Sequence, residues 1–244
     1  MEHLTILTYK YLFFNSIKNK INVPSGAFFV IKFHIFAKTQ KQSMSLKKAY
    51  ILIFIILLID QISKIYMKTN FIYGEMGQID VARWFKIVLI ENDGMAWGVE
   101  IPGQYGKLFL TVFRLFAITG IGYWLWDSVQ KKGSNYLIVA IALIFAGAFG
   151  NIIDSVFYGV IFDHSNYQVA TLFAENPYGT WFHGKVVDML YFPIFETRLP
   201  DWLPFWGGSN FKFFNAIFNI ADMAISTGVG ILIFFNKKAF HGMD

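Results

Sequence analysis

The chain has 244 residues, of which 55% are hydrophobic and 15% charged, and it contains no cysteine. The lack of cysteine excludes a thiol nucleophile, a disulfide and a thiolate metal site. The net charge of +5 comes from the N-terminal region, because residues 1–48 hold eight lysines and one glutamate. Nucleic-acid binding needs basic groups clustered on a folded face, so the composition argues against a nucleic-acid partner.

Residues 1–43 fit a membrane core poorly, because their apolar runs are short and are interrupted by Lys32 and His34. They also lack the charged start, continuous apolar region and small-residue cleavage site of a signal peptide. Met44 is followed closely by two lysines and then by the first long apolar segment. We therefore interpret residues 1–43 as an N-terminal extension and 44–244 as one membrane domain, with the hypothesis that translation starts at Met44.

Four apolar segments approach the roughly 20 residues that cross a bilayer. A lysine pair precedes the first segment, another lies between the second and third, and a third follows the fourth; cytoplasmic loops are enriched in such residues. The sequence therefore predicts a mainly α-helical membrane protein with four transmembrane helices and both ends of its core in the cytoplasm. The predicted spans are residues 49–66, 108–126, 136–157 and 214–235.

Two connections, residues 67–107 and 158–213, then lie on the extracytoplasmic side. Both are rich in aromatic residues and glycine, which is typical of folded segments. Residues 79–90 alternate in part and are β-branched, a pattern that predicts strand structure. We therefore expect a small extracytoplasmic β-rich region. Tryptophan suits a membrane interface, and the tryptophans of the second connection are Trp181, Trp202 and Trp206.

Polar side chains recur at helical spacing in three of the predicted spans, so each set shares one helix face. Because successive spans alternate in direction, all of these groups lie in the extracytoplasmic half of the membrane. Arg114 of the second span lies at a similar depth, and Asn92 and Asp188 of the connections can reach the same place. The polar groups are Asp60 and Lys64 in the first span, Asn151 and Asp154 in the third, and Asn215, Asn219, Asp222 and Ser226 in the fourth.

Polar groups of this kind also serve simply to hold membrane helices together, at about 0.6–2 kcal/mol for each hydrogen bond. That structural interpretation is favoured for Asn215 and Ser226. Asp60 and Lys64 are four residues apart, which suits a structural ion pair. Arg114 suits a counter-ion or a contact with lipid headgroups.

Asp188 and Asp222 are the strongest candidates for chemistry, because a carboxylate at membrane depth is costly and usually functional. Two neighbouring carboxylates do not ionise together, so one keeps a proton and the other serves as a general base. Such a pair can activate water against a peptide carbonyl and protonate the departing amine, as aspartic proteases do. A proton-coupled transporter and a non-catalytic scaffold remain alternatives, although no internal repeat typical of transporters is evident.

Five short blocks, in order, resemble the lipoprotein signal peptidase (signal peptidase II) family. The resemblance implies that Asp188 and Asp222 are a catalytic dyad, with no metal or cofactor. Asp60, Lys64, Asn92, Gly94, Asn151, Asp154, Asn219 and Ala221 would line or support the pocket. The blocks are Asp-Gln-Ile-Ser-Lys at 60–64, Asn-Asp-Gly-Met-Ala-Trp at 92–97, Gly-Asn-Ile-Ile-Asp at 150–154, Val-Val-Asp at 186–188 and Phe-Asn-Ile-Ala-Asp at 218–222.

The resemblance also implies a substrate, which would be a prolipoprotein whose cysteine bears a diacylglyceryl group, cleaved just before that cysteine. We expect the enzyme to be a monomer among the lipids of the bacterial cytoplasmic (inner) membrane. The lysine pairs place its active site toward the extracytoplasmic face.

Three features depart from the family pattern. Ser155 stands where the family usually has an arginine, and we expect Arg114 to supply the missing positive charge. Met95 stands where a small residue is usual and is expected to narrow the pocket. The outer connections are long, and their extra segments, including 165–185 and 196–212, are candidates for a lid or a partner surface.

Overall fold

The computed structural model describes residues 43–93, 106–213 and 216–241. Within this part of the chain, three helices are long and apolar enough to cross a membrane, and a fourth apolar helix is shorter. Residues 1–42, Gly94, Met95 and Asn215 lie outside the described residues. The helices are α1 (Leu46–Asn70), α2 (Gly106–Gln130), α3 (Asn135–Ile153), α4 (Ile220–Phe234) and a short final α5 (Asn236–Ala239).

Serine caps set where two of the long helices begin. At the start of α1, the Ser45 hydroxyl accepts a hydrogen bond from the backbone N–H of Lys48 (3.4 Å). At the start of α3, the Ser134 hydroxyl accepts from the N–H of Leu137 (3.2 Å). Each cap satisfies an N–H group that the first helical turn leaves without a partner.

Small residues allow α3 and α4 to approach one another closely. A Cβ atom added at Gly147 would lie 2.1 Å from the carbonyl oxygen of Ala221, and one added at Gly228 would lie 2.6 Å from that of Ala140. Small residues at a helix interface let two backbones approach closely. Helix α3 also contacts α1 and α2, so it is the central helix of the bundle.

The end of α3 changes its winding where the polar residues collect. A π-helical turn, Asp154–Tyr158, follows α3 and leads into a short helical turn, Gly159–Ile161. The apolar helical segment thus runs to residue 161, four residues beyond the predicted span. Single π turns occur frequently at functional sites, and this one begins at a buried carboxylate.

A four-stranded antiparallel sheet has the order β1-β2-β3-β6. The strand predicted over residues 79–90 is two strands, because Ala82 pairs with Phe85 across a turn at residues 83–84. The two loop residues, Arg83 and Trp84, lack the Asn-Gly or Asp-Gly signal typical of such hairpins, so the sequence does not reveal the turn. The strands are β1 (Ile79–Ala82), β2 (Phe85–Asn92), β3 (Val186–Tyr191) and β6 (Ile217–Phe218).

The fourth apolar helix begins later than predicted. The predicted span starts at residue 214, whereas Ile217 and Phe218 pair with β3 and α4 starts at Ile220. A buried strand and a membrane helix have the same apolar composition, so hydropathy does not separate them. As a result, the sheet leads directly into the helix through Asn219.

The two extra segments have different structures. Residues 195–213 form a separate hairpin of β4 (Phe195–Arg198) and β5 (Asn210–Phe213), which leaves Trp202 and Trp206 exposed. In residues 165–185, Ala170 is instead buried in an apolar cluster with residues of α1 and the sheet. Residues 165–185 are therefore part of the folded core around the site.

Candidate active site

The start of α4 holds Asp222 through a reciprocal cap. The side-chain oxygen Oδ1 of Asn219 accepts a hydrogen bond from the N–H of Asp222 (2.8 Å), and Oδ2 of Asp222 accepts from the N–H of Asn219 (3.2 Å). This arrangement is a capping box. A carboxylate in the first turn also faces the positive end of the helix dipole. Asp222 is therefore fixed where β6 meets α4.

Asp188 reaches the same asparagine from the sheet. It lies in β3 and is 3% exposed. Its Oδ1 accepts a hydrogen bond from Nδ2 of Asn219 (2.8 Å), and its Oδ2 accepts one from Nδ2 of Asn92, at the end of β2. Asn219 thus contacts both Asp188 and Asp222, and the structure brings together the two carboxylates that the sequence singles out.

Asp188 has an unusual affinity for a proton. Burial and, next in size, the negative charge of Asp222 raise the pKa of Asp188 from 3.8 to about 8. Burial disfavours the charged form of a carboxyl group, and a neighbouring carboxylate does the same. At neutral pH, Asp188 is therefore mainly protonated, which equips it to act as an acid.

Asn151 connects Asp222 to a buried lysine. Nδ2 of Asn151 donates to Oδ1 of Asp222 (2.9 Å), while its Oδ1 accepts from Nζ of Lys64 (2.9 Å) and from Nδ2 of Asn219 (3.1 Å). The lysine fixes the orientation of the amide, because an ammonium group only donates hydrogen bonds. Asp222 thus receives N–H donors from both Asn151 and Asn219, which fix the orientation of its carboxyl group.

Lys64 lies between two buried carboxylates. Its Nζ is 2.9 Å from Oδ2 of Asp60 and 2.8 Å from Oδ2 of Asp154, and all three side chains are at most 1% exposed. The ion pair that the four-residue spacing of Asp60 and Lys64 predicts is therefore present. Burial of these charges depends on their mutual compensation, because an unpaired charge in this environment is strongly destabilising.

The two carboxylates that flank Lys64 also hold the backbone beside Asp222 and Asp188. Oδ1 of Asp60 accepts from the N–H of Ala221 (2.9 Å), which precedes Asp222. Oδ2 of Asp154 accepts from the N–H of Val187 (3.3 Å), which precedes Asp188. Lys64 and its two carboxylates therefore fix the chain segments that carry Asp222 and Asp188.

Gln61 is a site residue that the sequence-based reasoning missed. Its Nε2 donates to Asp154 Oδ1 (2.9 Å) and Asp60 Oδ2 (3.1 Å), and its Oε1 accepts from the hydroxyl of Tyr158 (3.2 Å). The available signal was its position beside Asp60 in the first block. An amide there links the two carboxylates that share the lysine.

Arg114 and Ser155 lie in different parts of the bundle. Arg114 is half-buried on α2 and is attracted electrostatically to Asp222. Ser155 is buried, and its hydroxyl donates to the backbone carbonyl of Asn151 (3.0 Å). The positive charge of Arg114 thus faces Asp222 from the second helix, while the hydroxyl of Ser155 binds the backbone of the third.

Comparison with known proteins identifies close relatives. The family model described as signal peptidase (SPase) II matches residues 52–236. A lipoprotein signal peptidase of Porphyromonas gingivalis is 47% identical over 184 residues, which cover 75% of this chain and 79% of the relative. A lipoprotein signal peptidase of Amoebophilus asiaticus is 36% identical over 197 residues, covering 79% and 78%.

Solved structures share the fold. A structure described as a bacterial membrane enzyme, determined by the in meso method at 1.9 Å resolution, aligns with a TM-score of 0.53 and 23% identity, covering 81% of this chain and 97% of the other. A second, at 2.3 Å resolution, aligns with a TM-score of 0.55 and 22% identity, covering 83% and 95%. At these identities the likeness concerns the fold, and it agrees with a bundle of apolar helices joined to a small sheet.

Proposed function

We propose that this chain, which belongs to the signal peptidase II family and removes signal peptides from prolipoproteins, works as an aspartic endopeptidase with Asp188 and Asp222 as its catalytic dyad. The observation that carries the proposal is the double contact of Asn219, whose side chain and backbone hold both carboxylates. The family relationship disfavours the transporter and scaffold alternatives. Other peptidase mechanisms do not explain why two carboxylates converge at this junction.

The two carboxyl groups have different roles in the proposed reaction. Asp222, which receives two N–H donors, takes a proton from water as the water oxygen bonds to the scissile carbonyl carbon. Asp188 holds a proton, with its pKa raised to about 8 by burial and by Asp222, and donates a hydrogen bond to the carbonyl oxygen. When the tetrahedral intermediate breaks its C–N bond, the departing amine takes up a proton from the dyad.

The proposed substrate is a prolipoprotein whose cysteine carries a diacylglyceryl group, with cleavage just before that cysteine. The dyad lies where an apolar helix meets the sheet. A lipid-bearing substrate can keep its acyl chains among the membrane lipids while its peptide bond reaches that junction. We place the enzyme in the bacterial cytoplasmic membrane as a monomer, with the dyad toward the extracytoplasmic face; the lysine pairs of the sequence support this orientation.

The other predicted site residues act as supports in this proposal. Lys64 with Asp60 and Asp154 fixes the backbone beside the dyad, and Asn92 and Asn151 each donate to one catalytic carboxyl group. Ala221 contributes its backbone N–H and a small side chain against Gly150. Gly94 keeps its predicted role in the pocket and lies outside the described residues.

Substitution of the dyad tests the proposal directly. We expect Asp188→Asn and Asp222→Asn each to lower cleavage of a diacylglyceryl-modified prolipoprotein by about 10²–10⁴-fold, because proton transfer by a positioned side chain contributes that much. The measurement is a gel-shift assay with purified enzymes. Asp201→Asn, at a side chain 83% exposed on the hairpin, is the matched control. Parental activity in either folded dyad variant would show that the assignment is wrong.

Arg114 is proposed to replace the positive charge that the family has at the position of Ser155. Its attraction to Asp222 supports this role. We expect Arg114→Ala to reduce cleavage by about tenfold, the effect of losing ~1.4 kcal/mol of transition-state stabilisation, and Arg114→Lys to retain more activity. If purified Arg114→Ala cleaves the substrate as fast as the parent enzyme, the charge is supplied elsewhere.

A further inference from the structure

A buried polar cluster joins the ends of α1 and β2, and the proposed cleavage chemistry does not use it. The ammonium group of Lys68 donates to Glu91 and to Oγ of Ser165 (3.0 Å), and Oγ of Ser165 donates to Oε1 of Glu91 (2.6 Å). The side chains of Lys68 and Glu91 are 0% and 7% exposed, and Ser165 is buried. We call these three residues the Lys68 cluster.

The surroundings of the Lys68 cluster are aromatic and apolar. Nζ of Lys68 lies 4.9 Å from the ring centre of Phe162 and 5.3 Å from that of Tyr178. A buried ion pair is weak evidence for stability, because apolar residues of similar volume often serve at least as well. Its better-attested role is to fix one geometry. The geometry fixed here lies at the end of β2.

Glu91 directly precedes the residue that contacts the dyad. Successive side chains of a strand point to opposite faces. Glu91 therefore points into the Lys68 cluster, while Asn92, the last residue of β2, points to Asp188 and donates to its Oδ2. Glu91 is hydrogen-bonded to Lys68 of α1 and to Ser165 of the 165–185 segment. These bonds fix the end of β2, next to the amide of Asn92.

Tyr178, which lies beside the Lys68 cluster, holds the start of the strand that carries Asp188. The hydroxyl of Tyr178, whose ring lies beside Lys68, accepts a hydrogen bond from the N–H of Lys185 (2.7 Å), one residue before β3. Within the sheet, Glu91 is the pairing partner of Val187. The strands that carry Asn92 and Asp188 are thus both held by residues in or beside the Lys68 cluster.

We propose that Glu91, held by Lys68 and Ser165, is a positioning residue for peptide-bond cleavage: it orients Asn92 against the acid Asp188. The inference rests on the proposed function, because it takes Asp188 as a catalytic group. Glu91 acts through Asn92, and the extra segment around Ser165 thereby becomes part of the catalytic framework.

A double-mutant cycle tests this coupling. Glu91→Gln keeps the size of the side chain and removes its charge, and Asn92→Ala removes the donor to Asp188. We expect Glu91→Gln to lower kcat about tenfold in the parent enzyme with little change in KM, and to have less than about a twofold effect when Asn92→Ala is already present. A tenfold loss in both backgrounds would show a general structural role and overturn the proposal.

A milder variant keeps the test decisive if Glu91→Gln folds poorly. Ser165→Ala removes one donor to Glu91 and leaves both charges in place. The proposal predicts that the loss of this donor misplaces Asn92 and weakens its hydrogen bond to Asp188. Because a hydrogen bond to a carboxylate favours its charged form, the weaker bond raises the pH at which Asp188 loses its proton. The alkaline limit of kcat/KM should therefore move to higher pH in Ser165→Ala. The exposed Glu75→Gln serves as the control with an unchanged profile. An unshifted limit in Ser165→Ala, measured on folded enzyme, contradicts the proposal.

The failure of this inference is distinguishable from that of the proposed function. If Asp188→Asn remains active, the dyad assignment itself is wrong. If Asp188→Asn is inactive while Glu91→Gln and Asn92→Ala act independently, the dyad stands and only the positioning role is overturned.

Discussion

The carboxyl groups of the site differ in what compensates their charge. Asp60 and Asp154 share the ammonium group of Lys64. Asp188 is instead held by the neutral amides of Asn92 and Asn219. Burial and the negative charge of Asp222 raise the pKa of Asp188, because neutral amides do not balance a full negative charge in a buried position. Polar residues that look equivalent in the sequence therefore have separate roles.

The pH dependence of cleavage should report the proton on Asp188. Because burial and Asp222 raise its pKa to about 8, we expect kcat/KM to fall above about pH 8, approaching tenfold per pH unit when the proton is essential. The measurement is initial cleavage rate against pH with the parent enzyme in detergent. A profile that stays level to about pH 10 would contradict the assignment of Asp188 as the acid.

The free energy of unfolding should also depend on the protonation of Asp188. Between pH 3.8 and about 8 the folded protein retains a proton on Asp188 that the unfolded chain releases. The contribution of Asp188 to the free energy of unfolding therefore decreases as pH rises through this window. In Asp188→Asn this contribution is absent, so the difference in unfolding midpoint between variant and parent should change with pH. A constant difference would contradict the raised pKa.

Among the elements, the contact between α3 and α4 positions the backbone beside Asp222. Gly147 faces the carbonyl of Ala221, Gly150 faces the side chains of Asp60 and Ala221, and Ala221 directly precedes Asp222. Small residues favour a close contact between helices. They do not predict that this contact includes the backbone beside Asp222, because that depends on where α4 begins. The sheet pairing of residues 217–218 decides that start.

Filling the contact should separate α3 from α4. In Gly147→Ala the new Cβ would lie 2.1 Å from the carbonyl oxygen of Ala221, so the backbone must move. We expect a loss of about 1–3 kcal/mol of stability and reduced cleavage, since the hydrogen bond from Ala221 to Asp60 lies beside the contact. Gly120→Ala is the control, because an added Cβ there meets nothing within 4 Å. Thermal unfolding and the gel-shift assay compare the two; equal behaviour would contradict the expected clash.

Across the whole molecule, the predicted features were those that depend on local pattern. Helical spacing placed Asp60 beside Lys64 and collected the polar residues of three helices at one end, as their mutual hydrogen bonds show. The β6 strand was missed because its composition is that of a membrane span. The sequence does not predict the Lys68 cluster, because Glu91 follows Lys68 by 23 residues and Ser165 follows Glu91 by 74 residues. Tertiary contacts at such separations have no periodic signature.

The N-terminal extension is expected to be dispensable, because residues 44–244 form a compact unit of their own. Ser45 caps α1, and the backbone N–H of Met44 donates to the side chain of Asn135 (2.6 Å), so a chain that begins at Met44 keeps both contacts. We expect deletion of residues 1–43 to leave cleavage within about twofold of the parent, the effect of ~0.5 kcal/mol. Deletion of residues 1–46 also removes Met44 and the cap and should lower the unfolding temperature. Loss of activity in well-folded, well-expressed 44–244 would show that the extension contributes to the enzyme.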